Sequence, residues 1–264
     1  MKALSLFFFM ALFFVACQNA ASSDGDAAAE ETAEAPAQKY SLTPFTPSAS
    51  FADAAIESMT YKGGNFAFGI GGESYKLGVQ TPDAESKMCA NSGEGQHIHL
   101  IIDKEPYAAK YESSFAYDVP DGEHYLLAFL SRSYHESIKT PAAHVTKKIT
   151  VANKGISAEA NVEGPMLFYS RPKGSYVGKA ATTKVMLDFY LENVALGADY
   201  KVKADINGEE HLIDNWQPYY IEGLPMGENT ITLTLVNGAG ETVEAPLNPV
   251  SRTFTLAADP AEAN

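Results

Sequence analysis

The chain is poor in cysteine, with only Cys17 and Cys89 among 264 residues. Two cysteines form at most one disulfide, which excludes a small fold held together by a disulfide framework. Modification of Cys17 would leave Cys89 without a partner inside the chain. A lone thiol outside the cytoplasm is either buried and inert, paired between chains, or a metal ligand.

Basic residues are also scarce. The chain has 19 Lys and Arg against 33 Asp and Glu, a formal net charge of −14. Without a basic stripe to neutralise phosphates, nucleic acid is excluded as a partner. One local basic stretch contains Arg171 and Lys173. It is interpreted either as a contact for an anionic partner or as a solvated loop.

The common catalytic signatures are absent. The sequence contains no Gly-x-Ser-x-Gly elbow, no His-Glu-x-x-His pair, no phosphate-binding loop and no dinucleotide fingerprint. The prediction is therefore that the protein is not an enzyme.

Long apolar runs are missing except at the start, "MKALSLFFFMALFFVAC". This run is too short to span a membrane and reads as a signal peptide over residues 1–16. It ends in Phe14-Val15-Ala16-Cys17, which resembles the bacterial lipobox, so Cys17 is expected to be acylated and to anchor the protein in the membrane. The alternative is a plain secretory signal. Either signal directs export, and the lipobox predicts an outer-membrane lipoprotein of the cell envelope.

Residues 17–40 are rich in Ala, Ser, Glu and Asp, and predict a disordered acidic linker behind the cysteine. The acidic residues are interpreted either as a signal for export to the cell surface or as a solvated spacer.

The rest of the chain has β-sheet periodicity. Short segments rich in Val, Ile, Thr, Tyr and Phe are separated by Gly, Asn, Pro and Asp, and residues 230–235 alternate Thr with Ile or Leu. Such spacing predicts an all-β fold of two tandem immunoglobulin-like β-sandwich domains, at residues 50–152 and 164–258.

An internal repeat supports two copies of one domain. "VPDGEH" at 119–124 matches "LPMGEN" at 224–229, and "KKITV" at 147–151 matches "RTFTL" at 252–256, both at an offset of 105. Near the same offset, Ile102-Asp103 corresponds to Ile206-Asn207.

The repeat shows that the histidines are not part of the framework common to both copies. Five of the six lie in the first copy, and none of these five has a histidine counterpart in the second. Strand alternation places Ile98, Leu100 and Ile102 in the core and His97 and His99 on the opposite, outward face. The same alternation puts Tyr125, Leu127 and Phe129 outward. This face is expected either to bind a ligand or to pack against the second copy.

A metal site is predicted at one rim of the first domain. If the strands at 97–102 and 125–130 are antiparallel neighbours, several side chains suited to copper or, less well, zinc converge there: His97, His99, His135, His144, Met88 and Cys89. The alternative is a set of structural histidines, hydrogen-bonded at the rim. His124 is expected at the opposite end.

"GQHIHLIID", "VPDGEHYLLAFL", "SYHE" and "TPAAHVTKKITV" resemble an uncharacterised family of His-rich domains with an "HHHLLID"-type strand. The chain differs at Ile98, where that family tends to have a third histidine. The whole chain also resembles bacterial lipoproteins with the inherited name "phosphopeptide-binding protein", although the sequence has no compact arginine cluster for phosphate.

Together these features predict a lipid-anchored cell-envelope protein with a binding or structural role. Its ligand, a protein or a glycan, is expected on the first domain. The alternative is a metal-handling protein that uses the histidines for copper or zinc.

Overall fold

The computed structural model describes residues 39–262. The predicted signal peptide, Cys17 and the acidic linker up to residue 38 lie outside the described residues. The described residues belong to one compact unit. No helix in the described part is long and apolar enough to cross a membrane.

The first half of the described chain forms nine strands, which are β1 (Ser41–Pro44), β2 (Ala55–Lys62), β3 (Asn65–Gly71), β4 (His97–Ile102), β5 (Ala108–Lys110), β6 (Ser114–Ala116), β7 (Gly122–Ser131), β8 (His144–Ala152) and β9 (Gly155–Ala160). Two single 3-10 turns interrupt the loops, at Ala84–Ser86 and Pro141–Ala143.

The second half, as far as residue 262, forms eight strands, which are β10 (Met166–Arg171), β11 (Gly174–Val177), β12 (Val185–Glu192), β13 (Tyr200–Ile206), β14 (Glu209–Ile213), β15 (Tyr219–Glu222), β16 (Gly227–Asn237) and β17 (Val250–Ala257). A one-turn helix, α1 (Lys179–Thr182), follows β11, and a 3-10 turn at Pro260–Glu262 follows β17.

The strands form two β-sandwiches, as the sequence predicts. The first sandwich has sheets ordered β2-β3-β6 and β5-β4-β7-β8-β9, and the second has sheets ordered β1-β15-β12-β10 and β11-β17-β16-β13-β14. Each sandwich has its own apolar core. Ile98, Leu100 and Ile102, predicted to face inward, lie in the first core with Leu126, Ala128 and Leu130, and the second core contains Ile231, Leu233 and Leu235.

The two copies of the repeat share an equivalent set of hydrogen bonds, here called the clamp. In each copy, the side chain of the residue after one strand bonds to two consecutive residues of the paired strand. After β4, Asp103 accepts hydrogen bonds from the backbone N–H of Tyr125 at 2.8 Å and from His124 Nδ1 at 2.7 Å. After β13, Asn207 contacts the equivalent two groups: its Oδ1 accepts from the N–H of Thr230 and its Nδ2 donates to Asn229 Oδ1, both at 2.8 Å. His124 is therefore a structural residue at the far end of β4, as its predicted position requires.

Two strands fall outside the expected domain limits. β9 extends the first sandwich beyond residue 152, because Asn153 and Lys154 adopt positive φ angles of 54° and 59° and reverse the chain into a tight hairpin with β8. β1 lies within the segment before residue 50 and joins the second sandwich, where it pairs antiparallel with β15.

The two sandwiches share a third apolar cluster. The outward face of β4 and β7 contributes Ile101, Leu127 and Phe129, and the facing strands of the second sandwich contribute Met166, Phe168 and Tyr190. Phe129 stacks on Tyr190 with ring centroids 5.5 Å apart. The outward face of the first copy is thus packed against the second copy.

Candidate metal centre

The site begins at the junction of β4 and β7. These strands are antiparallel neighbours, with His97 opposite Ser131 and His99 opposite Phe129. The Tyr75 hydroxyl lies between the carbonyl oxygens of His97 and Ser131, at 3.1 and 2.9 Å, and ties the two strand ends together. His97 and His99 project from the same face of β4 because they are two residues apart, and both are fully buried.

His135 reaches the same point from the loop after β7. It adopts a φ of 71°, in the left-handed region that side-chain-bearing residues rarely occupy. The loop is closed by two backbone bonds, Arg132 N–H to Glu136 O at 2.9 Å and His135 N–H to Arg132 O at 2.8 Å.

The second copy has the same loop with a different residue at this position. Asn237 N–H bonds to Glu241 O and Gly240 N–H bonds to Asn237 O, both at 2.9 Å, and Gly240 has a φ of 82°. The fold therefore suits glycine here, and the first copy has a histidine in its place.

Three ring nitrogens converge. His97 Nε2 lies 2.8 Å from His99 Nε2 and 3.1 Å from His135 Nδ1. One nitrogen from each ring lies within 4.8 Å of the others. Within residues 39–262, these three histidines are therefore close enough together to hold one metal ion.

The surrounding groups orient the rings. His97 Nδ1 donates to the carbonyl oxygen of Gly95 at 2.8 Å, which leaves the lone pair on Nε2 facing the other two rings. His99 stacks on Tyr107 with centroids 3.6 Å apart and planes within 6°. Its Nδ1 lies 3.4 Å from the Ser170 hydroxyl, and the Tyr107 hydroxyl lies 3.2 Å from His135 Nδ1.

Burial keeps all three imidazoles neutral. Removal from water lowers the pKa of His97 to about 4. It also lowers the pKa values of His99 and His135 well below the ordinary range, and the nearby charges of Arg171 and Lys173 act in the same direction. Neutral imidazole is the form that binds a metal ion.

The second sandwich covers the site with strand β10. Its pairing with β12 shifts between Tyr169 and Arg171, so Ser170 is the extra residue of a bulge. The bulge places Ser170 beside His99, while an Arg171 guanidinium nitrogen donates to the carbonyl oxygen of Tyr134 at 3.5 Å. The site is therefore built from both sandwiches.

Three of the six predicted ligands lie elsewhere. His144 is 3.2 Å from Glu192 Oε2 and packs on the Tyr190 ring, because the 3-10 turn before β8 directs it to the interface between the sandwiches. Met88 is 60% exposed. Cys89 is buried in an apolar cluster with Phe45 and Tyr134, where burial raises the pKa of its thiol to about 12.

The predicted binding surface also needs correction. Leu127 and Phe129 are fully buried and Tyr125 is partly buried, all in the cluster between the sandwiches, because the apolar face is covered by β10 and β12. Arg171 is buried as well, and Lys173 is half-buried with its Nζ 4.2 Å from the centroid of the Tyr107 ring. The basic stretch of Arg171 and Lys173 is therefore packed beside the histidines instead of forming a solvated loop.

Sequence reasoning missed Tyr107 and Ser170. Tyr107 precedes β5, whose antiparallel pairing with β4 returns the chain past His99, and a short hairpin after "HIHLII" is the signal that points to it. No local signal identifies Ser170, since its position depends on how the two sandwiches dock.

No protein-family model and no curated protein matches the chain. Among solved structures, the chain is similar to fibronectin(III)-like modules of Clostridium thermocellum CbhA, with 11% identity and a TM-score of 0.29 over 85% of this chain and 96% of that one. It is also similar to a Ca²⁺-stabilized adhesin that helps an Antarctic bacterium bind ice, with 12% identity and a TM-score of 0.24 over 78% of this chain and 50% of that one. A third similar structure is Bacteroides ovatus SGBP-B in complex with a mixed-linkage heptasaccharide, with 9% identity and a TM-score of 0.20 over 84% and 71%.

Proposed function

We propose that the protein binds a transition-metal ion through His97, His99 and His135. The observation that carries this proposal is the convergence of three neutral ring nitrogens on one point between the sandwiches. The all-β architecture fits a binding or structural role, and the metal site gives that role a specific chemistry.

The distances support the proposal. Metal–nitrogen bonds of about 2.0–2.1 Å at tetrahedral angles place the nitrogens roughly 3.3 Å apart. The observed separations of 2.8 and 3.1 Å, with all three atoms within 4.8 Å, need only small side-chain shifts to reach that arrangement.

The ligand set supports Cu²⁺ ahead of Zn²⁺. Three imidazoles suit copper and zinc alike, and divalent copper binds a given nitrogen site more tightly than zinc does. The soft ligands Met88 and Cys89 are not at the site, so nothing in the described ligand set favours Cu⁺ specifically.

The backbone at His135 supports a functional role. A side-chain-bearing residue in the left-handed region costs about 1–2 kcal/mol, and the second copy avoids this cost with Gly240. A histidine at such a position is accounted for by what its ring does, since the loop itself does not need it.

Chelator-competition titration of the purified full-length chain with Cu²⁺ and Zn²⁺ tests the proposal. One ion per chain is expected, at roughly 1 μM or tighter, with copper bound more tightly. His135→Gly should lower the affinity by more than about 100-fold, beyond the effect typical of an outer-shell residue. Glycine suits the backbone here, so the metal-free variant should keep its melting temperature within a few degrees.

His144→Gln is the matched control, because His144 is a partly buried histidine of the same domain that contacts Glu192 instead of the triad. It should bind copper like the wild type. A folded His135→Gly variant with wild-type copper affinity would show that the triad is only a hydrogen-bonded structural cluster.

We also propose that the protein works in the cell envelope, anchored through an acylated Cys17. Support comes from the apolar leader and the Phe14-Val15-Ala16-Cys17 motif. Cys17→Ser should move the protein from the membrane fraction to the soluble fraction of disrupted cells. An unchanged membrane fraction would contradict lipid anchoring. A protein or glycan ligand stays a prediction.

A further inference from the structure

The charged groups next to the triad are cations. The charges of Arg171 and Lys173 lower the pKa values of all three histidines, and no carboxylate contributes to the pKa values of these described residues. This is unusual in a chain with 33 acidic and 19 basic residues. A divalent ion held by three neutral imidazoles would keep its full charge and add to this positive field.

Arg171 is only 5% exposed, yet no ion pair of the described residues includes it. Its guanidinium bonds to neutral acceptors, the Tyr176 hydroxyl at 2.9 and 3.2 Å and the Tyr134 carbonyl at 3.5 Å. Buried arginines are almost always paired with an anion, so this environment lacks a negative charge.

Lys173 also lacks a negatively charged partner among the described residues. Its Nζ lies over the Tyr107 ring, which stacks on His99, and no carboxylate of the described chain forms an ion pair with it. Burial and the charges of Arg171 and Arg252 lower the pKa of Lys173. Lys173 and His135 are each partly accessible, so solvent reaches the site at this edge.

We propose that the metal-loaded site binds a small anion, a carboxylate or an inorganic oxyanion, as an additional metal ligand beside Lys173 and Arg171. The inference rests on the proposed metal site and deepens it. Three histidines leave a coordination position open, and the two cations supply the attraction for a negatively charged ligand.

Azide tests this inference, because it is a small anion whose binding to Cu²⁺ produces a visible charge-transfer band. Copper affinity is measured first by chelator competition, and the full-length copper-loaded chain is then titrated with azide. Saturable appearance of the band is expected, with formate and phosphate as competitors. Lys173→Gln should weaken azide about tenfold and leave copper affinity equal or higher, because one cation near the metal is removed.

Lys203→Gln is the matched control, since Lys203 of β13 pairs with Glu210 of β14 in the second sandwich. It should not change azide affinity. Copper binding without any azide band, or equal azide affinity in Lys173→Gln, overturns the anion site and leaves the metal site standing. A charge-transfer band present before azide and lost in Tyr107→Phe would show that Tyr107 supplies the negative charge and also overturns it. Absence of copper binding removes both proposals.

Discussion

At the scale of single residues, the same side chain has three different roles in the first sandwich. His97 is fully buried beside two other imidazoles. His124 is hydrogen-bonded to the Asp103 carboxylate, and His144 pairs with Glu192 at the interface between the sandwiches. The environment decides which of these histidines can offer a lone pair to a metal. Only a neutral ring whose second nitrogen is already occupied, as His97 Nδ1 is by Gly95 O, points a defined lone pair at a neighbour.

Metal-free protein should lose stability in mild acid. Burial lowers the folded-state pKa of His97 to about 4, below the ordinary value of 6.5, so the unfolded chain binds the proton first. The contribution is fully present above pH 6.5 and is lost as the pH falls toward 4. Urea unfolding at pH 7.5 and 5.0 should show a loss about 2 kcal/mol larger in wild type than in His97→Gln.

The glutamine keeps a donor for the Gly95 carbonyl and does not titrate, which makes it the control for this residue. Equal acid losses in the two proteins would mean that His97 is protonated in the fold, contrary to its burial.

At the scale of elements, both sandwiches contain the same clamp, formed by an Asp–His pair in the first and by an Asn–Asn pair in the second. The residue after β4 or β13 has a positive φ, 54° at Asp103 and 51° at Asn207, and its side chain accepts a hydrogen bond from a backbone N–H of the paired strand, β7 or β16. The partner on that strand also bonds back to the preceding proline carbonyl, His124 to Pro120 O and Asn229 to Pro225 O, both at 2.9 Å. The clamp joins β4 to β7 at the end opposite the triad.

His124→Ala should destabilise the fold by about 1–2 kcal/mol, because it removes two hydrogen bonds of a half-buried clamp. The double change Asp103→Asn and His124→Asn installs the pair found in the second sandwich, and should stay within about 1 kcal/mol of wild type. Urea unfolding measures both. A double variant no more stable than His124→Ala would show that the two clamps are not interchangeable.

At the scale of the whole molecule, the two sandwiches are joined by an interface of apolar and polar contacts that includes the histidine triad. Phe129 stacks on Tyr190, and Tyr190 contacts Trp216 at 5.0 Å. The buried Asp188 of β12 accepts from Lys139 Nζ at 2.6 Å and from the N–H of Ser137 at 2.9 Å, both in the first sandwich. Ordering the site therefore requires both halves.

Phe129→Ala should destabilise the protein by about 3–5 kcal/mol, because a fully buried ring is lost from the interface. The unfolding of wild type should be a single transition, with Trp216 fluorescence and far-ultraviolet circular dichroism coinciding. Phe115→Ala, a change on a partly buried ring of β6 outside the interface, should cost less. Two separate transitions in wild type would contradict an interface that couples the sandwiches.

The sequence by itself determined the all-β architecture, the two copies and the inward and outward faces of their strands. These follow from local rules, because alternation along a strand assigns each side chain to a face and a fixed offset reveals the repeat. The same alternation placed His97 and His99 on one face of β4, so two of the three histidines of the triad could be predicted from the sequence.

Only the tertiary structure decided which predicted ligands converge and what covers their face. His135 joins the triad through a left-handed backbone conformation, while His144 at the start of β8 and Met88 and Cys89 in the loop before β4 are directed elsewhere. Ser170, Arg171 and the covering of Phe129 depend on docking between segments far apart in the chain. Such contacts are set by the packing of whole sheets, and a local residue pattern does not contain them.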